Sequence, residues 1–135
     1  MKKPGLLPLL LSLMLASGWA AAAQWARVAG GSAHTFYFDK ASITKVEKTS
    51  RKVWSMQTFR KEQTAPEGHA YRSVKALHLY SCNEHTATLL AQVFYPEPLG
   101  KGEPVENYKY EKYGPEDIVP DSPQDRVLSV ACKLR

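Results

Sequence analysis

Two cysteines are the residues of this sequence with the clearest chemistry. Cys82 and Cys132 are the only thiols among its 135 residues, and they permit a single intramolecular disulfide. Closing a loop of about 50 residues would stabilise the fold by roughly 4 kcal/mol, because it lowers the conformational entropy of the unfolded chain. A reactive thiol pair is the alternative, but redox pairs typically have the spacing C-x-x-C. We therefore predict a structural disulfide between Cys82 and Cys132.

The histidines raise the question of a metal site. His78 and His85 flank a predicted hairpin tip, so their imidazoles and the Glu84 carboxylate could approach one another. The disulfide would consume Cys82, however, and only two histidines and one glutamate of uncertain direction would remain. The alternative interpretation places His78 on a strand face and His85 in an exposed turn. We predict no metal ion and no cofactor, and His78, Glu84 and His85 are the residues that a metal would use.

Tyrosines and lysines are interleaved near the end of the chain, in a pattern typical of a binding surface. Tyrosine provides a large contact area at a small entropy cost, and the lysines would attract an acidic partner. The alternative is that a tyrosine-rich edge packs over the core. The residues that we predict to form the binding surface are Tyr95, Lys101, Tyr108, Lys109, Tyr110, Lys112 and Tyr113.

Familiar catalytic motifs are absent from the sequence. Neither G-x-S-x-G nor H-E-x-x-H occurs, and the acidic residues, Glu106 among them, are scattered through segments that resemble loops. We expect most of these acids to be solvating charges. We therefore predict no catalytic residues and no enzymatic activity, with a small metal-binding or enzymatic envelope protein as an alternative.

The first residues have the organisation of a secretory signal peptide. Two lysines precede the apolar run Leu6–Ala16, which is too short to span a bilayer, and Ala21–Ala23 offers the small residues that a signal peptidase needs. We predict a signal peptide at 1–23 and a single domain at 24–135, without an integral membrane span. Because no cysteine stands at the cleavage site, we expect an exported protein in the periplasm or at the cell surface, associated with the outer membrane but not a lipoprotein.

Alternation of polar and apolar residues predicts that most of the chain after the signal peptide forms β-strands. The segment 60–69 is charged and contains proline and glycine, so we predict an exposed loop there. Ser122 is a preferred N-cap and is followed by proline, which predicts a helix over Pro123–Cys132. The predicted strands are 24–29, 34–39, 51–59, 71–82 and 86–95, with a short edge strand inside 103–113.

These elements predict an α+β fold, in which a twisted antiparallel β-sheet of about five to six strands carries a C-terminal α-helix on one face. A helix of about ten residues is too short to be stable alone. The Cys82–Cys132 disulfide would tether it to the end of the strand 71–82. An open edge strand in such a sheet would also allow a homodimer.

Several motifs resemble, in order and spacing, those of the surface-adhesin protein E family of Gram-negative bacteria. The resemblance runs from about Trp25 to Cys132. It implies a twisted antiparallel sheet with a disulfide-held helix, a tendency to dimerise, and binding of host matrix or plasma proteins. The motifs are Tyr37-Phe38-Asp39 with Ser42-Ile43, Arg51–Trp54, Tyr80-Ser81-Cys82, Ile118–Ser122 and Val127–Cys132.

We therefore predict a non-enzymatic, exported binding module of the cell envelope. Its expected partner is a protein of the envelope or of the host extracellular space. The 18 basic and 13 acidic side chains give a net charge of +5 that is dispersed along the chain, so we predict no nucleic-acid partner. The alternative is a periplasmic structural or stress-related protein without a host ligand.

Overall fold

A computed structural model of the protein describes residues 4–5 and 22–134, so most of the predicted signal peptide lies outside the described residues. The described chain contains eight β-strands and one α-helix. In chain order they are β1 (Trp25–Gly30), β2 (His34–Asp39), β3 (Thr44–Glu47), β4 (Ser50–Thr64), β5 (Ala70–Ser81), β6 (Thr86–Tyr95), β7 (Glu106–Lys109), β8 (Glu116–Asp117) and α1 (Pro123–Lys133), with 3-10 turns at Lys40–Ser42 and Pro98–Gly100.

All eight strands pair in antiparallel fashion within one sheet, whose main path has the order β1-β2-β4-β5-β6-β7. The short strand β3 pairs with the beginning of β4, and β8 pairs with the beginning of β6. The predicted antiparallel sheet with a C-terminal helix is therefore confirmed. The six strands of the main path agree with the predicted number, whereas the short strands β3 and β8 were not predicted.

Alternate residues of each strand point to opposite faces of the sheet, and paired residues share a face. Val53 of β4 pairs with His78 of β5 on the face that α1 covers, which we call the helix face. Trp54 pairs with Leu77 on the opposite face. We call that second face, which none of the described helices covers, the open face.

The helix α1 begins and packs as its sequence indicates. The Ser122 hydroxyl accepts a hydrogen bond from the Asp125 N–H at 3.2 Å, which caps the first turn. Val127, Leu128 and Ala131 are buried against the helix face of the sheet, where the core also contains Phe36, Phe38, Val53, Tyr80, Ala87 and Ile118. The helix ends at Lys133, one residue later than predicted.

The predicted disulfide between Cys82 and Cys132 is confirmed. Cys82 directly follows β5 and Cys132 lies in the last turn of α1, and their Cα atoms are 5.9 Å apart. The two residues are separated by 50 positions in the sequence. The bond therefore joins the end of a central strand to the helix that covers it.

A second apolar cluster covers the part of the helix face that α1 does not reach. Ala65, Val74 and Phe94 are its buried members, and the partly buried residues Phe59, Tyr71, Val105 and Tyr108 pack against them. The cluster is closed by the turn after β4 and by the chain that leads into β7. The core of the sheet is thus in two parts, and only one of them depends on the helix.

The prediction of an exposed loop at 60–69 is wrong for its first half. Strand β4 continues to Thr64, and after an irregular stretch its end pairs with β5, where Gln63 lies opposite Tyr71. The side chains of 60–62 are exposed, as their charges indicate, but backbone pairing does not require apolar side chains. The guanidinium of Arg72 bridges the irregular stretch by donating to the carbonyl oxygens of Phe59 and Arg60, at 3.1 and 2.8 Å.

Candidate functional site

The structure divides the predicted tyrosine and lysine surface between the two faces of the sheet. Tyr108, Tyr110 and Tyr113 form one row of rings with the helix-face core residue Phe94. Ser73 precedes the core residue Val74 in β5 and therefore points to the open face. Tyr95 pairs with Ser73, so Tyr95 lies on the open face as well. The remaining predicted residues, Lys101, Lys109 and Lys112, are exposed.

The row of tyrosine rings runs from the core to the surface. The rings of Phe94 and Tyr108 are 5.9 Å apart, Tyr108 and Tyr110 are stacked at 6.0 Å, and Tyr110 meets Tyr113 edge-on at 4.8 Å. Tyr113 is 55% exposed, so the row ends in solvent. The inner rings therefore pack against the core, and the outer ring is exposed to solvent.

A buried carboxylate fixes the inner end of this row. Glu106 is only 6% exposed, and its carboxylate accepts hydrogen bonds from the Tyr108 hydroxyl, from the backbone N–H groups of Glu67 and His69 and from the His69 ring. Desolvation alone would raise the pKa of Glu106, but these hydrogen bonds outweigh it and lower the pKa to about 2. The same hydrogen bond to Glu106 raises the pKa of the Tyr108 hydroxyl above its usual value. Glu106 is thus an exception to the expectation that most of the acids are solvating charges.

The outer end of the row borders a shallow concave surface. Tyr110 is held by its hydroxyl, which donates to Gln92 Oε1 at 2.8 Å, and by its backbone N–H, which donates to the Leu90 carbonyl. The concavity has a volume of about 430 Å³ and is lined by the five consecutive residues 109–113. Two tyrosine rings, two lysines and one glutamate thus surround a space that a side chain of a partner could enter.

The residues considered for a metal site do not converge. His78 is largely buried on the helix face, where its Nε2 atom lies 3.5 Å from the side-chain nitrogen of Gln124. Burial lowers the pKa of His78 to about 4, so the ring is neutral at pH 7. Glu84 and His85 are exposed in the turn after β5. Within residues 22–134, no group of three side chains of the metal-binding types comes together.

The sequence model of the family described as Surface-adhesin protein E matches residues 25–133. The chain belongs to the surface-adhesin protein E family. This membership confirms the resemblance stated from the motifs, and it indicates a binding module of the adhesin type that is exported to the cell surface. None of the helices in the described part of the chain has the length and apolar character needed to cross a membrane.

Solved structures of family members share the fold of this adhesin E-like chain. Haemophilus influenzae protein E superimposes with a TM-score of 0.64 at 20% sequence identity, covering 81% of this chain and 83% of that chain. Protein E from non-typeable Haemophilus influenzae gives a TM-score of 0.64 at 21% identity, covering 88% of this chain and 82% of that chain. No match was found among curated protein sequences. At these identities the structural similarity establishes the fold alone.

The open face of this adhesin E-like domain holds a second cleft, which our sequence analysis missed. The cleft has a volume of about 340 Å³ and lies around the Lys75 side chain. The Lys75 ammonium is 4.8 Å from the centre of the Tyr95 ring and 5.6 Å from that of Trp25. Asp39, Trp54 and Val93 complete the lining, together with Ala23, the last residue of the predicted signal peptide. The alternation within β4 and β5 places Trp54 and Lys75 on one face, but the position of Trp25 beside them depends on the sheet order.

Proposed function

We propose that this chain is an exported, non-enzymatic module that binds a protein of the cell envelope or of the host extracellular space. Family membership supports a binding role, and the partner is the part of the proposal that requires a test. The observation that carries the proposal is the row of tyrosine rings, which is fixed to the core at Tyr108 and ends in solvent at Tyr113. A fixed aromatic side chain offers contact area with little conformational entropy left to lose on binding.

The binding surface in this proposal is the concavity lined by 109–113. Tyr110 and Tyr113 would supply apolar contact area to the partner. Lys109 and Lys112 flank the rings and would steer an acidic region of the partner toward them. Tyr108 and Glu106 would act only by holding the row in place, because both are largely removed from solvent.

The test is affinity capture with the purified, processed protein. Envelope extract and host matrix proteins are passed over the immobilised protein and over a Tyr113→Ala variant with Lys112→Gln. Loss of a central aromatic contact typically costs about 2 kcal/mol, so we expect captured partners to bind the variant at least about tenfold more weakly. Lys61→Gln, which removes an exposed lysine at the far end of β4, is the control and should leave binding unchanged. Equal capture by the Tyr113 variant would contradict the proposed surface.

The location of the protein decides between a host-facing role and a role inside the envelope. We propose that residues 1–23 are removed on export and that the domain reaches the cell surface. Digestion of the protein by protease added to intact cells would support this location. Recovery of protected protein in the osmotic-shock fraction would instead favour the alternative, a periplasmic structural protein without a host ligand.

A further inference from the structure

Lys75 is a cation in the middle of a largely apolar surface. It is flanked on the open face by Trp54 and Leu77 and by the ring of Tyr95. The side chain is half-buried, so part of its hydration has been lost. A charged group in such surroundings is stabilised when an opposite charge approaches it.

No carboxylate of the described residues satisfies this charge. The one ion pair found within residues 22–134 joins His69 and Glu106, on the other face of the sheet. Asp39 is the one acid among the described residues that line the cleft, and its Oδ1 atom is engaged by the backbone N–H groups of Gln24 and Ala41, at 2.7 and 3.0 Å. Lys75 is left with the faces of two aromatic rings, which attract a cation only weakly.

The fold also holds Lys75 in its position. Gly100 adopts a φ of +68° in the turn after β6, and a Cβ atom added there would lie 2.6 Å from the Lys75 Cε atom. The turn is itself pinned by Ser73, whose hydroxyl donates to the Glu97 carbonyl at 2.6 Å and accepts from the Gly100 N–H at 2.8 Å. A side chain that is fixed before binding loses less entropy when a ligand arrives.

Apart from Asp39, the charged side chains that the strands place around the cleft are positive. The pairing registers place Arg27, Lys52 and Lys109 on the open face together with Lys75. These four cations outnumber Asp39, the one acid among the described residues that line the cleft, so an anionic group would be drawn to this region. The cleft thus combines a fixed cation with aromatic walls that suit apolar atoms.

We propose that the Lys75 cleft binds the carboxylate of an acidic side chain presented by a protein partner, with apolar neighbours of that side chain lying on Trp25, Trp54 and Tyr95. The inference rests on the proposed function, because it takes the partner to be a protein. It adds a second contact on the opposite face from Tyr113 and states the chemistry of the group that is recognised there.

The test uses two synthetic peptides that differ in one charge, acetyl-Leu-Glu-Leu-amide and acetyl-Leu-Gln-Leu-amide. Each is titrated into the purified protein while the indole N–H signals of Trp25 and Trp54 are followed by NMR. We expect the glutamate peptide to shift both indole signals and to bind at least about tenfold more tightly than the glutamine peptide. Lys75→Met should abolish this preference, whereas Lys61→Met, which removes an exposed lysine at the far end of β4, should preserve it.

Four results would overturn the inference. The first is equal binding of the two peptides, and the second is an undiminished preference in a Lys75→Met variant whose spectrum shows a native fold. The third is an equal response to acetate, which would mean that the cleft takes any small anion. The fourth is a shift of the indole signals with protein concentration alone, which would mean that a second copy of the chain covers the face. None of these results depends on the capture experiment with Tyr113, so the two proposals can fail separately.

Discussion

Glu106 of β7 and His69 of the turn between β4 and β5 are joined by their side chains, with the Glu106 Oε2 atom 3.0 Å from His69 Nδ1. Glu106 is 6% exposed, whereas the side chain of His69 is 56% exposed. The same carboxylate accepts from the backbone N–H groups of Glu67 and His69. One buried acid therefore fastens a hairpin turn to the strand that leads into the tyrosine row.

We expect Glu106→Gln to lower the stability of the protein and to flatten its response to acid. The pKa of Glu106 is about 2 in the folded state, against 4.5 for a free glutamate. Between these values the unfolded chain binds the proton more tightly, so the stability that Glu106 provides is present above pH 4.5 and is lost as the pH falls toward 2. Urea denaturation at a series of pH values measures both effects.

The control for this prediction is Glu62→Gln, which removes an exposed acid of β4. Its pH profile should follow that of the unmodified protein. If Glu106→Gln retained the acid sensitivity of the unmodified protein between pH 4.5 and 2, other carboxylates would have to account for it.

We expect His78→Leu to reduce the loss of stability between pH 6.5 and 4. Burial lowers the pKa of His78 from 6.5 to about 4, so the unfolded chain takes up a proton in this window and the folded chain does not. Stability due to the neutral, buried ring is therefore complete above pH 6.5 and falls by on the order of 3 kcal/mol toward pH 4. Thermal unfolding followed by circular dichroism measures this dependence, and His85→Asn, at an exposed turn position, is the control.

At pH 7 the same His78→Leu variant should be at least as stable as the unmodified protein. The Nδ1 atom of His78 is buried without a hydrogen-bond partner among the described residues. Leucine removes this unsatisfied polar atom while keeping much of the side-chain volume. A large loss of stability at pH 7 would show that the ring makes a contact that leucine cannot replace.

Removal of the disulfide should destabilise the protein by about 2–5 kcal/mol. A Cys82→Ser variant with Cys132→Ser loses the link between β5 and α1. The apolar packing of α1 and the hydrogen bonds of Arg51 to Leu134 and of Arg126 to Val28 must then keep the helix in place. Urea midpoints of this variant and of the chemically reduced protein should agree with each other and lie below that of the oxidised protein. Equal midpoints for all three forms would refute a stabilising role of the bond.

The N-cap of the helix makes a smaller and more local contribution. Ser122→Ala removes the oxygen that accepts from Asp125, and we expect a loss of about 1 kcal/mol in the free energy of unfolding. Ser129→Ala is the matched control, because Ser129 is exposed in the middle of α1 and alanine is the better helix former. The control should be neutral or slightly stabilising. A similar loss in both variants would show that the cap is not the cause.

Local sequence patterns were sufficient for much of the fold. Strand β6 was predicted with its observed bounds, and the cap and proline at the start of α1 identified the helix. Cys82 and Cys132 were paired correctly because no other cysteine was available. Each of these predictions depends on neighbours in the chain or on simple elimination.

The parts that could not be predicted depend on distant residues. Glu106 is buried against the turn that contains Glu67, about 40 positions earlier in the sequence. The residues next to Glu106 in the chain form no pattern that predicts this contact. Tyr95 and Tyr108 lie in the same tyrosine-rich part of the sequence, but the registers of β6 and β7 place them on opposite faces of the sheet. The Lys75 cleft includes Trp25 of β1, although β2 and β4 separate β1 from β5 in the sheet, so its position beside Lys75 cannot be read from neighbours in the chain.

Val74 and Lys75 are consecutive in the chain, yet one belongs to the core and the other to the open face. The open-face positions Lys75, Leu77 and Leu79 of β5 can therefore vary with a change of partner, while Val74 and Tyr80 remain constrained by packing. One scaffold can in this way acquire different specificities through substitutions alone. Deletion of a single residue within β5 would have a different effect. It would turn Lys75 toward the core and Val74 toward solvent, and so reduce both stability and binding.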